Sequence, residues 1–287
     1  MIPQDVEAWL IDNNFGFVDI ENSVTGGCIN NGVQIVTSTG ESFFLKTNHS
    51  PPPDMFKCEY EGLIAINKTN SLKIPKPHLF GSDYILMEDL KPAKRMKNYW
   101  ETFGRLLASL HDYEGEQFGF SSDNYIGRTP QVNTWTSDGF NFFVESRIRC
   151  LAGMVRKKGL ISEDIHHRIL NLSNRITTLV PKQPPSLLHG DLWSGNAITD
   201  SNGRPAIFDP AVHYGWAEAE LAMTTLFGSF PEKFYESYIE VRQLEPGYQS
   251  RFPFYNIYHV LNHVLLFGKG YFLSISSKGF PSLDAVL

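Results

Sequence analysis

A histidine, two aspartates and an asparagine fall close enough together in this chain to act as a group. His189-Gly190-Asp191-Leu192-Trp193-Ser194-Gly195-Asn196 is followed a short way on by Phe208-Asp209-Pro210. Between them run Ala197-Ile198-Thr199, the turn-forming Asp200-Ser201-Asn202-Gly203, and then Pro205-Ala206-Ile207-Phe208, a pattern that reads as a β-hairpin. A hairpin returns the end of its second strand to the start of its first, so Asn196 and Asp209 are expected side by side. An amide oxygen and a carboxylate are hard ligands suited to Mg2+, which keeps the rest of its octahedron for water and phosphate oxygens. Asp191, outside that pair, is expected to orient an acceptor hydroxyl and take its proton as catalytic base. Together these residues point to phosphoryl transfer from ATP.

Such chemistry needs an upstream wall that holds the nucleotide. Asn22-Ser23-Val24-Thr25-Gly26-Gly27-Cys28-Ile29-Asn30-Asn31-Gly32 leads into Val33-Gln34-Ile35-Val36-Thr37, then a polar turn, then Ser42-Phe43-Phe44-Leu45-Lys46. This reads as strand, glycine-containing turn, strand, turn, strand. Gly26, Gly27 and Cys28 would bring backbone N–H groups up to the phosphates without bulky side chains, and Lys46 would reach the α- and β-phosphates. A lysine in that role needs a carboxylate to fix it. Pro51-Pro52-Pro53-Asp54 predicts a helix start with Asp54 as N-cap, and residues 55–68 continue without proline. Glu59 lies four residues before Leu63 on the apolar stripe, whereas Glu61 is rotated away, so Glu59 is the expected partner. The strand Tyr84-Ile85-Leu86-Met87 then runs into Glu88-Asp89-Leu90, whose backbone around Glu88 and Leu90 is expected to meet an adenine edge. Helical spacing predicts helices over 96–111, 142–157 and 161–179. The expected fold is therefore α+β and bilobal. Residues 1–90 would form a nucleotide-binding lobe on a small antiparallel sheet with a helix, and residues 91–287 a larger, mainly helical catalytic and substrate-binding lobe.

Composition agrees and excludes several classes. The 287 residues are 42% hydrophobic and 20% charged, the balance of an ordinary globular protein. No stretch approaches the ~18 uninterrupted apolar residues of a membrane span, and the first residues lack the layout of a signal peptide, so a cytoplasmic location without membrane association is expected. Three widely spaced cysteines, Cys28, Cys58 and Cys150, suggest neither a disulfide framework nor a zinc site. A net charge of −6 with no basic run argues against a general nucleic-acid binder. Cys28 is also a redox candidate. A thiol in an exposed loop near Lys46 would be reactive, so oxidation is expected to lower activity reversibly and link a dimer through Cys28; the chain is expected to be a monomer or a redox-dependent homodimer.

Across nearly its whole length the chain resembles the fructosamine (ketosamine) kinases, within the protein-kinase-like superfamily that includes aminoglycoside and choline kinases. The residues that carry the resemblance are Gly26-Gly27-Cys28-Ile29-Asn30, Phe44-Leu45-Lys46, Glu59-Tyr60-Glu61-Gly62-Leu63, Pro130-Gln131-Val132-Asn133 with Trp135, the Trp193-containing loop, Phe208-Asp209-Pro210-Ala211-Val212-His213-Tyr214-Gly215, Glu220-Leu221-Ala222-Met223, and Tyr258-His259-Val260-Leu261-Asn262-His263. Trp216-Ala217 departs from the residues common after that Tyr-Gly, and Glu220 stands where relatives carry Asp or Glu. The resemblance implies a protein-kinase-like fold, and phosphorylation of the third-carbon hydroxyl of a ketosamine, either a small molecule or a glycated protein lysine, with ATP and Mg2+. The phosphate is then a leaving group, and the adduct decomposes to free the amine. An acceptor pocket needs an apolar surface for a sugar face and polar groups for its hydroxyls. Trp193 fits the first need, with Asn133, Trp135 and His263 as further candidates. A kinase of the aminoglycoside or choline type would use the same catalytic residues, and a nucleotide-binding pseudokinase would have lost Lys46, Asp191 or Asp209, all of which are present.

Overall fold

In the computed structural model, residues 2–24 and 30–268 are described. Gly26, Gly27 and Cys28 lie outside the described residues.

The chain begins with α1 (Gln4–Asp12), followed by β1 (Val18–Val24), β2 (Asn31–Thr37) and β3 (Ser42–Thr47). Then come α2 (Met55–Asn67), β4 (Pro77–Phe80) and β5 (Tyr84–Glu88). The strands form one sheet in the order β1-β2-β3-β5-β4, antiparallel throughout. Strand periodicity sorts β3 between two cores: Phe43 and Leu45 join Val6, Leu10, Ile35, Tyr84 and Leu86 under α1, while Phe44 and Lys46 face the α2 side. On that side Phe56, Leu63 and Ile66 of α2 pack with Ile85 and Met87 of β5. Each such fully buried side chain contributes about 1.5–3 kcal/mol. With both faces covered, β5 reads as an unbroken apolar run.

The expected cap of α2 is absent. Asp54 takes a left-handed conformation, φ 56°, and its side chain makes no capping bond. It turns the chain out of Pro51-Pro52-Pro53 rather than accepting an N–H. The sequence reading also passed over α1 and β4.

The remainder is mainly helical. It comprises α3 (Tyr99–His111), a short hairpin of β6 (Asn124–Ile126) and β7 (Thr129–Gln131), α4 (Gly139–Phe143), α5 (Cys150–Lys157), α6 (Glu163–Ser173) and α7 (Ile176–Leu179). The helix expected over 142–157 is continuous only through a π-turn at Val144–Arg149, which joins α4 to α5. The one expected over 161–179 starts at a Ser162 cap, whose hydroxyl accepts from Ile165 N, and breaks between α6 and α7. Next come β8 (Ser186–Leu188), β9 (Ala197–Thr199), β10 (Pro205–Ile207), β11 (His213–Gly215), α8 (Ala217–Met223), α9 (Glu232–Val241) and α10 (Tyr248–Phe267). α3 and α9 approach so closely that a Cβ at Gly104 would strike the Phe234 carbonyl. Among the described residues no helix is long and apolar enough to cross a membrane.

Candidate active site

Two short pairings build the central loop. β9 and β10 form the expected hairpin, with Ala197 opposite Ile207 and Thr199 opposite Pro205, and the Asp200 carboxylate accepts the N–H groups of Asn202 and Arg204 to close its turn. β8 pairs with β11, Leu188 opposite His213, so the segments that enter and leave the hairpin are held together at their outer ends. Residues 189–196 are thus fixed from both sides. At the corner Gly190 adopts φ 85°, and a Cβ there would collide with the Ala211 carbonyl, which leaves glycine alone able to occupy it.

A buried carboxylate pins this corner from below. Glu220 of α8 accepts the backbone N–H of His189 at 2.9 Å and of Gly190 at 2.6 Å, and pairs with His111 at 2.9 Å. His111 in turn meets the Tyr238 hydroxyl at 2.7 Å. Burial alone would raise the Glu220 pKa, but the hydrogen bond and charge of His111, with help from His189 and the Gly190 N–H, hold it below the usual carboxylate range. His189 acts as a brace: its Nδ1 accepts from the Asp191 N–H at 3.2 Å, which makes Nε2 the donor to the Phe208 carbonyl at 2.9 Å. Burial lowers its pKa and keeps the ring neutral, as that pattern requires.

Asp191 and Asn196 meet across the loop. Asn196 Nδ2 donates to the Asp191 carbonyl at 2.8 Å and reaches its carboxylate at 3.4 Å. With Nδ2 so committed, the amide oxygen Oδ1 is the atom left to ligate a cation. Asp191 is partly exposed, and burial, then Asp209, then Glu220 raise its pKa well above the ordinary carboxylate value, against the Asn196 hydrogen bond. A carboxylate in that condition accepts a proton readily.

Asp209 follows β10 in the left-handed region, φ 61°, and the Phe208 N–H bonds the Asn196 carbonyl at 3.3 Å, which sets Asp209 next to the start of the hairpin. Its carboxylate is ion-paired with Lys46 through Oδ1 and is about half exposed. Lys46 Nζ also donates to both oxygens of Glu59, at 2.9 and 2.8 Å. Burial opposes the lysine's charge, but Asp209 and Glu59 more than offset it, and its pKa is raised. Glu61 points elsewhere, accepting from the Ser122 hydroxyl at 2.9 Å.

The remaining expected residues divide. Glu88 donates its N–H to the Lys76 carbonyl, and its carboxylate holds Lys73 at 2.6 Å, so that N–H is not open to an adenine; Leu90 is buried at the end of the same segment. Trp193, 36% exposed, meets Phe227 edge-on at 5.8 Å, and Phe227 lies 4.5 Å from the His263 ring. Phe227 therefore unites Trp193 with His263 in one aromatic wall. Asn133 is not part of that wall. It is 1% exposed and bonded to Ser122, Asn124, Asp123 and the buried Arg147, which makes it a hub that positions the β6–β7 hairpin. Trp135 rests on Tyr214 at 6.0 Å.

The sequence reading noted Glu220 and Tyr258 without a role and passed over Phe227. Tyr258 lies close enough to Asp191 to feel its charge and donates its hydroxyl to Gln131 at 2.7 Å. No local pattern could have found these contacts, since each joins segments separated by tens of residues.

The family model described as fructosamine kinase matches residues 7–278. A probable ketoamine kinase of Synechocystis is 41% identical over 87% of this chain and 85% of its own length. The chloroplastic protein-ribulosamine 3-kinase of Arabidopsis thaliana is 41% identical over 87% of this chain and 78% of its own. Among solved structures, a putative fructosamine-3-kinase from Thermobifida fusca superposes with TM-score 0.88 at 25% identity, covering 99% of both chains. An aminoglycoside phosphotransferase, APH(4)-Ia, superposes with TM-score 0.65 at 14% identity, covering 99% of this chain and 97% of its own, and so shares the fold.

Proposed function

This chain belongs to the fructosamine kinase family, and on that premise we propose that it is an ATP-dependent ketosamine kinase that phosphorylates the third-carbon hydroxyl of a sugar–amine adduct. The observation that carries the reading is the arrangement around Asp209: Lys46 and Glu59 on one side, Asn196 and Asp191 on the other. The relatives named as ketoamine and ribulosamine kinases supply the acceptor class.

Lys46, its direction fixed by Glu59, neutralises the phosphates of ATP. Asp191 receives the acceptor's proton as the phosphoryl group moves, and its raised pKa suits that task. Gly190, held by Glu220, keeps Asp191 from swinging away. Transfer of this kind rests on positioning and charge neutralisation rather than on a covalent intermediate.

The residues present fit Mg2+. Asn196 offers its amide oxygen because Nδ2 is spent on Asp191, and Asp209 offers a half-exposed carboxylate. These are the hard oxygen donors that ion takes. When bound it supplies positive charge against the phosphate oxygens. Trp193 gives the sugar an apolar face beside Asp191. A phosphate at the third carbon turns the adduct into one that decomposes by itself, so the protein starts deglycation without cutting the C–N bond.

The test is ADP release with erythrulosamine, ribulosamine and fructosamine as acceptors, and with an aminoglycoside and choline as controls. Release with a ketosamine and none with the controls is expected. Turnover of a control alone overturns the reading.

A further inference from the structure

Glu163, His166 and His167 stand in the first two turns of α6, the histidines three and four residues after the carboxylate, which sets all three on one face of the helix. Each offers one ligand atom, a carboxylate oxygen or a ring nitrogen, and the three atoms lie within 4.8 Å of one another. No other three histidine, cysteine or carboxylate side chains among the described residues gather in this way.

The contacts around them suit ligation. Arg156, in the last turn of α5, holds Glu163 by a single oxygen: its Nε donates to Oε2 at 2.7 Å, and its Nη2 is a second donor to the same atom. Oε1 is left facing His167 Nε2 at 3.1 Å. A carboxylate whose far oxygen is fixed by an outside partner is how metal sites orient their ligands. The Nδ1 of His166 is buried without a hydrogen-bond partner, a condition folded proteins seldom keep, so nothing else claims that nitrogen. Glu163 and His167 are exposed, which opens the cluster to solvent. Arg156 and the positive end of α6 oppose a cation, and the first-turn carboxylates Glu163 and Asp164 offset them.

The donor set names the ion. Two imidazole nitrogens and one carboxylate match Zn2+, with the fourth tetrahedral position left to water. Nitrogens bound at about 2.0–2.1 Å sit roughly 3.3 Å apart around such an ion. Small rotations of the exposed Glu163 and His167 side chains bring the three atoms to that spacing. Mg2+ takes oxygen ligands and does not compete.

We propose that Glu163, His166 and His167 form a binding site for Zn2+, made of different residues from the Asn196 and Asp209 pair, and that the ion clamps the start of α6 to the end of α5 through the carboxylate that Arg156 holds. The proposal goes beyond the kinase reading and stands or falls without it.

The test is calorimetric titration of the metal-free full chain with Zn2+ in the presence of excess Mg2+, with melting curves alongside. Wild type should bind Zn2+ and gain ~3 °C or more in melting temperature when the ion is in large excess over its Kd. His167→Ala and Glu163→Gln should each weaken that binding at least ~10-fold, since even outer partners of a metal site cost that much, and should lose the gain. Both changed side chains are exposed, so the variants melt within about 2 °C of wild type without zinc. The Co2+-loaded protein should show a spectrum of nitrogen and oxygen ligands without thiolate bands. No Zn2+ binding in wild type overturns the proposal. Binding within about twofold of wild type in both variants, or a Co2+ spectrum with thiolate bands that both variants retain, overturns it as well, because the ion then sits elsewhere.

Discussion

Asp209 stands between two charges of opposite character. On the β3 side Lys46 is a cation enclosed by two carboxylates, Glu59 and Asp209, and its charge is favoured despite burial. On the loop side Asp191 is a carboxylate that feels two further carboxylates, Asp209 and Glu220, and its charge is disfavoured. The first group is matched to its surroundings in the resting protein; the second is mismatched. The difference fits the role proposed for each. A group that neutralises phosphate must stay charged through the whole cycle, whereas a group that takes a proton works best when its charge is easily lost.

Substituting Asp191 tests the mismatched half and should give the largest effect. Asp191→Asn removes the proton acceptor but keeps an oxygen for Asn196 Nδ2, and kcat should fall about 1,000-fold, within the usual range for a positioned base. ATP binding should persist, which a nucleotide-induced shift in melting temperature measures. Because a disfavoured charge is also removed, the variant should be more stable than wild type by about 1 kcal/mol at neutral pH. Full activity in this variant defeats the assignment of Asp191, and lower stability defeats the claim of mismatch.

The matched half should respond with the opposite sign in stability. Lys46→Met leaves Glu59 buried beside Asp209 with no cation between them. Breaking a buried pair from one side costs about 3–5 kcal/mol, and denaturant unfolding reads it. Turnover should drop about 100-fold, as for the loss of one charge-stabilising donor, with KM for ATP raised. A Lys46→Met protein as stable as wild type would show that the charges are not matched at all.

The same contrast explains what the sequence made legible. The β9–β10 hairpin and the Lys46–Glu59 pairing followed from local rules. Turn residues between two short apolar runs fix the hairpin, and strand alternation with helix spacing aims Lys46 and Glu59 at one another. Asn133 and His263 carried equal weight in the sequence because each was a candidate for the acceptor pocket that could equally be a core or supporting group. Only packing separates them: Arg147 and Asn124 take up Asn133, while Phe227 brings His263 to Trp193. Glu220 was illegible as the support of Gly190 for the same reason, since its two N–H donors come from a loop far back in the chain. Asp54 misled, because a good capping residue after three prolines serves as the turn itself. The half proposed to hold phosphate is thus written in short-range pattern, and the half proposed to hold the acceptor in contacts between distant segments.

The smallest effect is a pH dependence that separates the two halves without a large loss of function. Asp191 has a folded-state pKa above its unfolded value, so the native state binds the proton more tightly than the unfolded chain does. Its contribution to stability is therefore fully present below the unfolded value and is lost as pH rises through the folded value. The stability gained in Asp191→Asn should accordingly shrink as pH falls through that window and vanish below it, a comparison that paired melting curves make. In wild type, kcat/KM should fall on the acid side over the same window, above the ~3.9 of an unperturbed aspartate, because only the ionised carboxylate accepts the proton. Lys46 has its pKa raised instead, so the lysine keeps its charge throughout this range, while burial, against the charge of Lys46, raises the pKa of its partner Glu59. A stability difference that stays constant with pH would mean that Asp191 is not held in a disfavoured charge state, and the contrast with Lys46 would then reduce to geometry alone.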